Sequence, residues 1–307
     1  MKPILFDFEI PGLGRLAVTG YIFFIVIGML AAIAVVRHEG RRSRMIPADA
    51  LDFGFVAIAV FMVGARIAFH LTADLEKTLI DPLRIFAYWE GGFVFYGGGI
   101  ALGFGALVYC ALRGIDFVRL ADVWAPAGAV GMVFGRIGCF TAGCCWGRPI
   151  DQPFGIEWPW AATFLQGPMP TQFLGVRLHP TQIYSSIAWL CLFLVLMMVR
   201  RTQRYDGQVF GWLLVLYAPM RAILELFRAD DLRGIWWGGV SSSQIIGIGI
   251  MTTGFLLLRR WKARAVDEGV IGLDAGAAWQ VRQVRAHERL VADGRLPRVE
   301  QVAESSQ

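Results

Sequence analysis

The feature of this sequence that most constrains its fold is a series of seven apolar stretches, each about twenty residues long. A helix of about that length crosses the hydrocarbon core of a bilayer, because each residue advances it by about 1.5 Å. Only 17% of the 307 residues are charged, whereas about a quarter would be charged in a soluble domain. The sequence therefore predicts an all-α integral membrane protein with about seven transmembrane helices. The predicted spans are 16–36, 52–70, 92–112, 120–139, 180–199, 208–227 and 240–259.

The basic residues of the connecting loops predict how these helices are oriented, because short cytoplasmic loops carry an excess of Lys and Arg. The first, third and fifth loops and the start of the C-terminal segment are the basic ones. They hold Arg37, Arg41, Arg42, Arg44, Arg113, Arg119, Arg200, Arg201, Arg204, Arg259, Arg260, Lys262 and Arg264. This pattern places the N-terminus outside and the C-terminus in the cytoplasm. We expect a membrane domain over 1–261 and a cytoplasmic tail over 262–307. The scattered charges form no stripe of the kind that binds nucleic acid.

One long loop, 141–179, lies on the outer side in this topology. Loops of about forty residues are usually either functional or disordered. This one is too aromatic for a disordered segment, so we expect an ordered cap on the outer membrane surface. Its tryptophans and prolines include Trp146, Trp158, Trp160, Pro153, Pro159, Pro168 and Pro170.

Polar side chains inside the predicted spans or at their ends indicate where the chemistry lies. An ionised group within a span costs several kcal/mol on insertion scales, so it is a functional candidate by default. The predicted topology places all of these polar residues toward the outer side. They are Arg66, Tyr96, Arg136, His179, Gln182, Tyr217, Arg221 and Glu225.

The sixth span carries Tyr217, Arg221 and Glu225 at intervals of four residues, so the three share one helix face. One interpretation is a salt bridge that lets Arg221 and Glu225 tolerate lipid. The other is that Arg221 faces a water-filled pocket and binds an anion, while Glu225 holds it in place. Arginine suits a phosphate because its planar guanidinium donates two parallel hydrogen bonds. Arg136 is a second candidate for the same role.

Glycines near the polar residues allow two interpretations. Gly131 and Gly135 form a small-xxx-small pattern, which is typical of closely packed membrane helices. Gly97 and Gly98 begin the third span, where they would let the backbone bend close to a lipid headgroup.

Three of the five cysteines, Cys139, Cys144 and Cys145, fall within seven residues. In an oxidising compartment the simplest interpretation is a disulfide from Cys139 to Cys144 or Cys145. A zinc site is less favoured because no paired C-x-x-C spacing is present, and we expect no metal ion. A reactive thiol is the third possibility. Cys110 and Cys191 lie in apolar spans and are expected to be buried packing residues.

Four motifs in order resemble the prolipoprotein diacylglyceryl transferase family. They are Glu90 to Gly98, Gly135 to Phe140 followed by Trp146-Gly147-Arg148, His179 to Tyr184, and Tyr217, Arg221, Glu225 and Arg228. The resemblance implies a multi-pass protein of the bacterial inner membrane with a periplasmic cap. It also implies transfer of a diacylglyceryl group from phosphatidylglycerol, a membrane lipid, to the lipobox cysteine thiol of a prolipoprotein signal peptide. Glycerol phosphate leaves, and no cofactor is expected.

The resemblance also implies roles for single residues. The expected catalytic residues are Tyr96, Arg136 and Arg221, because the lipid phosphate needs the arginines and the family has a tyrosine or histidine where Tyr96 stands. The expected substrate-binding residues are Arg66, Gly97, Gly98, Cys139, His179, Gln182, Tyr217 and Glu225.

The chain departs from the family at three polar positions. The family has an asparagine at Cys139, an acidic residue at Cys144 and a glutamate at Ser185. The phosphate-binding half resembles the family, whereas the half that handles the acceptor has changed, so the chain resembles a divergent member. Two alternatives stay open: a related lipid-modifying transferase with a different acceptor, and a non-catalytic lipid-binding or transport protein. A transporter would be expected to show internal repeats and broken helices, which this sequence lacks.

Overall fold

A computed structural model describes residues 4–10, 14–42, 47–87, 92–150, 161–164, 171–228, 242–273, 277 and 281. The chain forms two compact units: Val36–Val123, and Met1–Val35 together with Trp124–Gln307. The α-helices are α1 (Gly20–Arg42), α2 (Pro47–Thr72), α3 (Leu75–Ile80), α4 (Phe95–Arg113), α5 (Phe117–Ala142), α6 (Thr181–Arg201), α7 (Gln208–Glu225) and α8 (Ser242–Asp267). Short 3-10 helices cover Pro82–Phe86 and Thr171–Phe173.

In the part of the chain that the structure describes, five helices are long and apolar enough to cross a membrane. Each overlaps one of the first five predicted spans, which confirms an all-α integral membrane protein. These segments are Gly20–Arg41, Ala50–Thr72, Tyr96–Arg113, Phe117–Ala142 and Thr181–Arg201.

The sixth and seventh predicted spans are also helices, α7 and α8, but they are not among these five. The 18 residues of α7 include Arg221 and Glu225, and α8 continues through basic residues to Asp267. Membrane crossing by these two helices stays a prediction, as does the boundary between membrane domain and tail. Most of the predicted tail lies outside the described residues.

Two small antiparallel strand pairs accompany the helices. β1 (Ile4–Ile10) pairs with β2 (Gly14–Thr19), and β3 (Ala162–Thr163) pairs with β4 (Arg177–Leu178). The predicted first span began at residue 16, but the helix begins at Gly20 because 14–19 is strand. The alternation of apolar and acidic residues over 6–10 is the strand signal that the longer apolar stretch obscured.

In the smaller unit, α2 and α4 pack through small residues. A Cβ added at Gly97 would lie 2.0 Å from the Cβ of Ala68 and 2.8 Å from the carbonyl oxygen of Gly64. A Cβ added at Gly64 would lie 2.2 Å from the Cβ of Ala101. The two helices are therefore closer than any larger residue would permit, as small-xxx-small contacts allow.

This packing bears on the prediction for Gly97 and Gly98. Both lie inside α4, and a Cβ at Gly98 would meet the ring of Phe61 at 2.7 Å. Close helix contact thus accounts for both glycines, and their approach to a lipid headgroup stays a prediction.

In the larger unit, α5, α6 and α7 pack around a buried apolar cluster. Its buried members are Ala125, Ala129, Leu192, Leu196 and Val209. α1 packs on α5 through Gly28, where an added Cβ would lie 3.1 Å from the carbonyl oxygen of Gly131. Gly131 thus lies at this helix contact, but a Cβ added at Gly131 itself would lie 3.9 Å from the Gly28 carbonyl oxygen, so space does not require a glycine there.

The two cysteines within spans differ in exposure. Cys110 is buried, as predicted, but the prediction for Cys191 was wrong because its side chain lies exposed on α6. In a membrane helix an apolar residue gains as much from lipid as from the protein interior, so apolar character does not imply burial.

Replacing Gly97 with Ala should destabilise the protein by about 1–3 kcal/mol, because the new methyl group overpacks the α2–α4 contact. Thermal unfolding in detergent measures this. Gly99→Ala is the matched control in the same helix, since no atom lies within 4 Å of its added Cβ. Equal melting temperatures for the two variants would contradict the packing role.

Candidate active site

The turn after α5, residues 143–150, is held by main-chain hydrogen bonds to the start of α6 and the end of α7. The Gly147 N–H donates to the His179 carbonyl at 3.2 Å, and the Arg148 N–H donates to the Phe227 carbonyl at 2.9 Å. The His179 N–H donates to the Arg148 carbonyl at 3.0 Å. The last three of the four sequence motifs therefore meet at this turn.

Steric crowding at this contact requires a glycine at position 147. A Cβ added there would lie 2.5 Å from the His179 carbonyl oxygen and 2.6 Å from the Phe227 carbonyl oxygen. Real Cβ atoms do not approach oxygen so closely, so a larger residue would push the two strands of chain apart.

Side chains at the start of α6 hold the same turn from its other side. Thr181 Oγ1 donates to the Cys145 carbonyl at 2.8 Å, and Gln182 Nε2 donates to the Cys144 carbonyl at 2.7 Å. Ser186 Oγ donates to the Val133 carbonyl in α5 at 3.0 Å. Gln182 is 1% exposed, and its Oε1 has no hydrogen-bond partner among the described residues. That oxygen can still accept a hydrogen bond from a bound molecule.

His179 lies in an aromatic group with Tyr184 and Phe227. Its Nδ1 is 3.3 Å from the Tyr184 hydroxyl, and its ring centroid is 5.5 Å from that of Phe227. The ring centroids of Tyr184 and Phe227 are also 5.5 Å apart. This arrangement fixes the imidazole ring where the third and fourth motifs meet.

On α7, Arg221 and Glu225 form the ion pair that their spacing predicts, and the two side chains are 14% and 16% exposed. The Nη2 of Arg221 is buried and has no hydrogen-bond partner among the described residues. A buried charged donor without a partner is costly, so it favours binding of an anion. The ion pair and an anion-binding role are therefore compatible. Tyr217, one turn earlier, packs its ring against Trp189 at 5.6 Å.

Arg136 lies in the last turns of α5, three residues before Cys139 and thus on the same helix face. Its Nε is buried and also has no hydrogen-bond partner among the described residues. Two arginines of the larger unit, Arg136 and Arg221, thus carry buried N–H groups that an anion could satisfy. Their binding of lipid phosphate stays a prediction.

The side chains of Cys139, Cys144 and Cys145 converge, with their sulfur atoms all within 4.8 Å of one another. All three are thiols in the structure, so the predicted disulfide stays a prediction. Cys145 adopts φ +58°, the left-handed region that non-glycine residues rarely enter. Such a conformation costs about 1–3 kcal/mol and is concentrated at functional sites.

The two cysteines beyond α5 differ in acidity. Hydrogen bonds from Cys139 and then Cys144 lower the pKa of the Cys145 thiol, and the cations of Arg136 and Arg228 lower it further. The pKa of Cys144 is raised, first by its hydrogen bond with Cys139 and then by Cys145 and burial. Of these two thiols, Cys145 is therefore the more readily ionised, because its pKa is lowered while that of Cys144 is raised.

The remaining predicted site residues belong to the smaller unit. Arg66 is 1% exposed and donates to the carbonyls of Arg84 and Ala87 at 2.8 Å, and to those of Ile85 and Gly92 at 3.2 and 3.3 Å. These bonds tie the chain after α3 to α2, which is a structural role. Substrate binding by Arg66 stays a prediction.

Tyr96 lies in the first turn of α4 and is 36% exposed. Its motif neighbours Glu90 and Gly91 lie outside the described residues. The catalytic role of Tyr96 stays a prediction.

The described parts of the predicted cap, 141–179, have an apolar core of their own. Ala162, Phe164 and Leu178 are buried there, and the partly buried side chains around them are Phe140, Trp146, Phe173, Leu174 and Val176. Residues 151–160 and 165–170, with Trp158, Trp160 and four of the prolines named above, lie outside the described residues. An ordered cap on the outer surface stays a prediction.

Sequence reasoning missed several residues that build this region: Gly147, Thr181, Tyr184, Ser186 and Arg228. The Arg148 Nε–H group donates a hydrogen bond to the Arg228 carbonyl at 2.7 Å. All of these except Ser186 lie inside the motifs, so motif membership was the available signal. Their roles are contacts with backbone and with neighbouring side chains, which residue type alone does not reveal.

Gly147→Ala should destabilise the protein by about 1–3 kcal/mol, because the methyl group would separate the turn from the carbonyls of His179 and Phe227. Thermal unfolding in detergent measures the change. Gly128→Ala is the control, since its Cβ would meet no atom within 4 Å. A Gly147→Ala protein as stable as this control would show that the turn is not tightly docked.

In the reduced protein, Cys145 should react with iodoacetamide faster than Cys144, and the difference should grow as the pH falls toward about 6. A lowered pKa keeps a thiol ionised below its ordinary value of about 8.5, whereas a raised pKa removes the thiolate. Peptide mapping by mass spectrometry after timed labelling measures both rates. Equal rates across this pH range would refute the assignment of the thiolate to Cys145.

Comparison with known proteins agrees with the motifs that meet in this region. The profile of the family described as prolipoprotein diacylglyceryl transferase matches residues 8–260. The chain is similar to proteins named phosphatidylglycerol–prolipoprotein diacylglyceryl transferase. The one from Clostridium tetani is 31% identical over 81% of this chain and 93% of its own length. The one from Geobacter sulfurreducens is 32% identical over 80% of this chain and 91% of its own length. The one from Methylococcus capsulatus is 31% identical over 82% of this chain and 94% of its own length. The chain belongs to the prolipoprotein diacylglyceryl transferase family.

Proposed function

We propose that this protein transfers a diacylglyceryl group from phosphatidylglycerol to the lipobox cysteine thiol of a prolipoprotein signal peptide. Its relatives are named for phosphatidylglycerol and prolipoprotein, and they align over most of both chains. The observation that carries the proposal is the pair of arginines Arg136 and Arg221, since each has a buried nitrogen with no hydrogen-bond partner among the described residues, and such an N–H group suits a phosphate.

The chemistry of the transfer requires stabilisation of a leaving phosphate. The acceptor thiolate attacks the carbon of the diacylglyceryl group that is bonded to phosphate oxygen. A carbon–sulfur bond forms, the carbon–oxygen bond breaks, and glycerol phosphate departs with the electron pair. Guanidinium groups aimed at that phosphate lower the barrier because negative charge grows there in the transition state. We assign this role to Arg136 and Arg221, with Glu225 orienting Arg221 through their ion pair.

The acceptor must lose its proton before it attacks, since a thiol of ordinary pKa about 8.5 is mostly protonated at neutral pH. We assign assistance in this step to Tyr96, on the basis of its position in the first motif. Gln182 has a buried oxygen without a partner among the described residues, and we assign it, with His179 and Tyr217, to substrate binding.

We further propose the setting of this reaction. α7 and α8 complete a seven-span domain in the bacterial inner membrane, with the N-terminus outside and the C-terminus in the cytoplasm. The loop charges support this orientation. The segment 141–179 then covers the site from the periplasmic side, and its own apolar core supports an ordered cap.

A second candidate is a transferase that uses the same lipid and a different acceptor. The departures at Cys139, Cys144 and Ser185 favour it, because they alter the turn after α5 and the start of α6 while both arginines remain. The two candidate functions differ in the acceptor that receives the diacylglyceryl group.

Replacing Arg136 or Arg221 with Ala should reduce transfer by at least about 10²-fold, the usual effect of removing one donor to a developing negative charge. Lys should restore little, because it cannot donate two parallel hydrogen bonds. The assay incubates purified protein with phosphatidylglycerol and a lipobox peptide and measures the thioether product by mass spectrometry.

Arg264→Ala is the matched control for this assay, since that side chain is 66% exposed on α8 and pairs with Glu268. Full activity in Arg221→Ala would contradict the phosphate role. Consumption of lipid with no modified peptide would indicate another acceptor, and bound lipid that is never consumed would indicate a non-catalytic protein.

A further inference from the structure

The three thiols after α5 form a cluster that the proposed transfer does not use. The nucleophile of that reaction is the thiol of the acceptor. If Cys145 attacked the lipid instead, the diacylglyceryl group would become a thioether on the enzyme. A thiolate leaves a saturated carbon poorly, so a second thiol would not readily displace it. The cluster therefore needs an explanation other than a covalent relay.

The geometry of the cluster fits one ion bound by three sulfur atoms. Sulfur ligands of zinc lie about 2.3 Å from the ion, which places them roughly 3.8–4.0 Å from one another. The sulfur atoms of Cys139, Cys144 and Cys145 all lie within 4.8 Å of one another, so small side-chain rotations would complete such a site. A disulfide would use two of these thiols and leave the third without a role.

The spacing of the cysteines argued against a metal site because it lacks C-x-x-C. The fold nevertheless brings the three thiols together, through the backbone of the turn after α5. α5 ends at Ala142, Gly143 follows at φ +70°, and Cys145 adopts φ +58°. Among the described residues, Cys145 is the one non-glycine with positive φ. These two left-handed residues turn the chain back, so that Cys144 and Cys145 return to Cys139 on the last turn of the helix.

Hydrogen bonds around the cluster hold the backbone that carries the ligands. The Cys144 N–H donates to the Cys139 carbonyl at 3.2 Å. Gln182 and Thr181, both 1% exposed, donate to the carbonyls of Cys144 and Cys145. Supporting contacts of this kind fix the positions of metal ligands in known sites. The three side chains themselves are partly exposed, which leaves an ion a path to them.

The charges near the cluster match those of a bound ion. Three thiolates with Zn²⁺ carry a net charge of about −1, and with Cu⁺ about −2. Arg136 lies three residues before Cys139 on the same face of α5, so its cation stands beside the cluster and offsets part of this negative charge.

We propose that Cys139, Cys144 and Cys145 form a binding site for a soft d¹⁰ metal ion, Zn²⁺ or Cu⁺. Thiolate ligands select these ions. Each cysteine of the cluster offers one sulfur ligand, so the described residues supply three ligands here. Three thiolates suffice for Cu⁺, whereas Zn²⁺ would keep a fourth position for water or another ligand. The bound ion would brace the turn that docks on α6 and α7.

The test uses the full chain in detergent, purified with a thiol-free reductant and without chelator. Metal content is measured by inductively coupled plasma mass spectrometry. Zn²⁺ and Cu⁺ are then titrated separately into the metal-free protein. We expect about one ion per chain, a rise in melting temperature on binding, and loss of both in Cys139→Ser and Cys145→Ser. Cys191→Ser is the matched control, since that cysteine lies on α6 outside the cluster.

A second measurement on the unmodified protein covers the case in which the variants do not fold. Zn²⁺ or Cu⁺ should protect Cys139, Cys144 and Cys145 from maleimide while Cys110 and Cys191 label at unchanged rates. Native protein that holds a disulfide within the cluster, binds neither ion at stoichiometric amounts, or loses metal equally in Cys191→Ser would overturn the proposal. None of these readouts requires transferase activity, so the metal site and the proposed function can fail separately.

Discussion

The arrangement of the larger unit depends on the main-chain hydrogen bonds that dock the turn after α5. These bonds join Gly147 and Arg148 to His179 and Phe227, so they bring the end of one helix to the start of another and the end of a third. The absence of a side chain at Gly147 permits the approach. His179, Gln182, Arg228, Cys144 and Cys145 all lie on or beside the segments that this contact joins, and packing of the apolar helix faces alone would not set their positions.

The guanidinium groups of Arg66 and Arg221 differ in how their hydrogen-bonding groups are satisfied within the protein. Arg66 satisfies its guanidinium with four main-chain carbonyls, and thereby holds a 3-10 helix against α2. Arg221 has one carboxylate partner and an N–H group that no described residue accepts. Residue type and position in a span could not distinguish these cases, since both arginines appear as charges near the end of an apolar stretch. The number of hydrogen bonds each can make inside the protein separates a structural arginine from one suited to a ligand.

The helices were predictable because apolar stretches of about twenty residues have few other stable arrangements. The hairpin of β1 and β2 was not, since its alternating residues adjoin the longer apolar run of α1. In the candidate site, the spacing of Arg221 and Glu225 along one helix sufficed to predict their ion pair. The convergence of Cys139, Cys144 and Cys145 depends instead on backbone angles at Gly143 and Cys145, which residue spacing does not specify. Gly97 was predicted to bind substrate, whereas its close contact with α2 explains why a residue without a side chain stands there.

The docking of the turn through main-chain atoms has a consequence for how such proteins diversify. Gly147, Arg148 and Phe227 are joined by backbone amides and carbonyls, and the carbonyls of Cys144 and Cys145 accept the bonds from α6. These bonds therefore hold the turn whichever side chains stand at 139, 144 and 145, and a metal ion bound by the three thiols would add to them. Evolution can exchange them while the scaffold stays intact, which makes this turn a place where a lineage can acquire new chemistry without refolding. The thiols at 139 and 144, where the family resemblance predicts an amide and a carboxylate, can therefore stand there without disturbing these main-chain bonds.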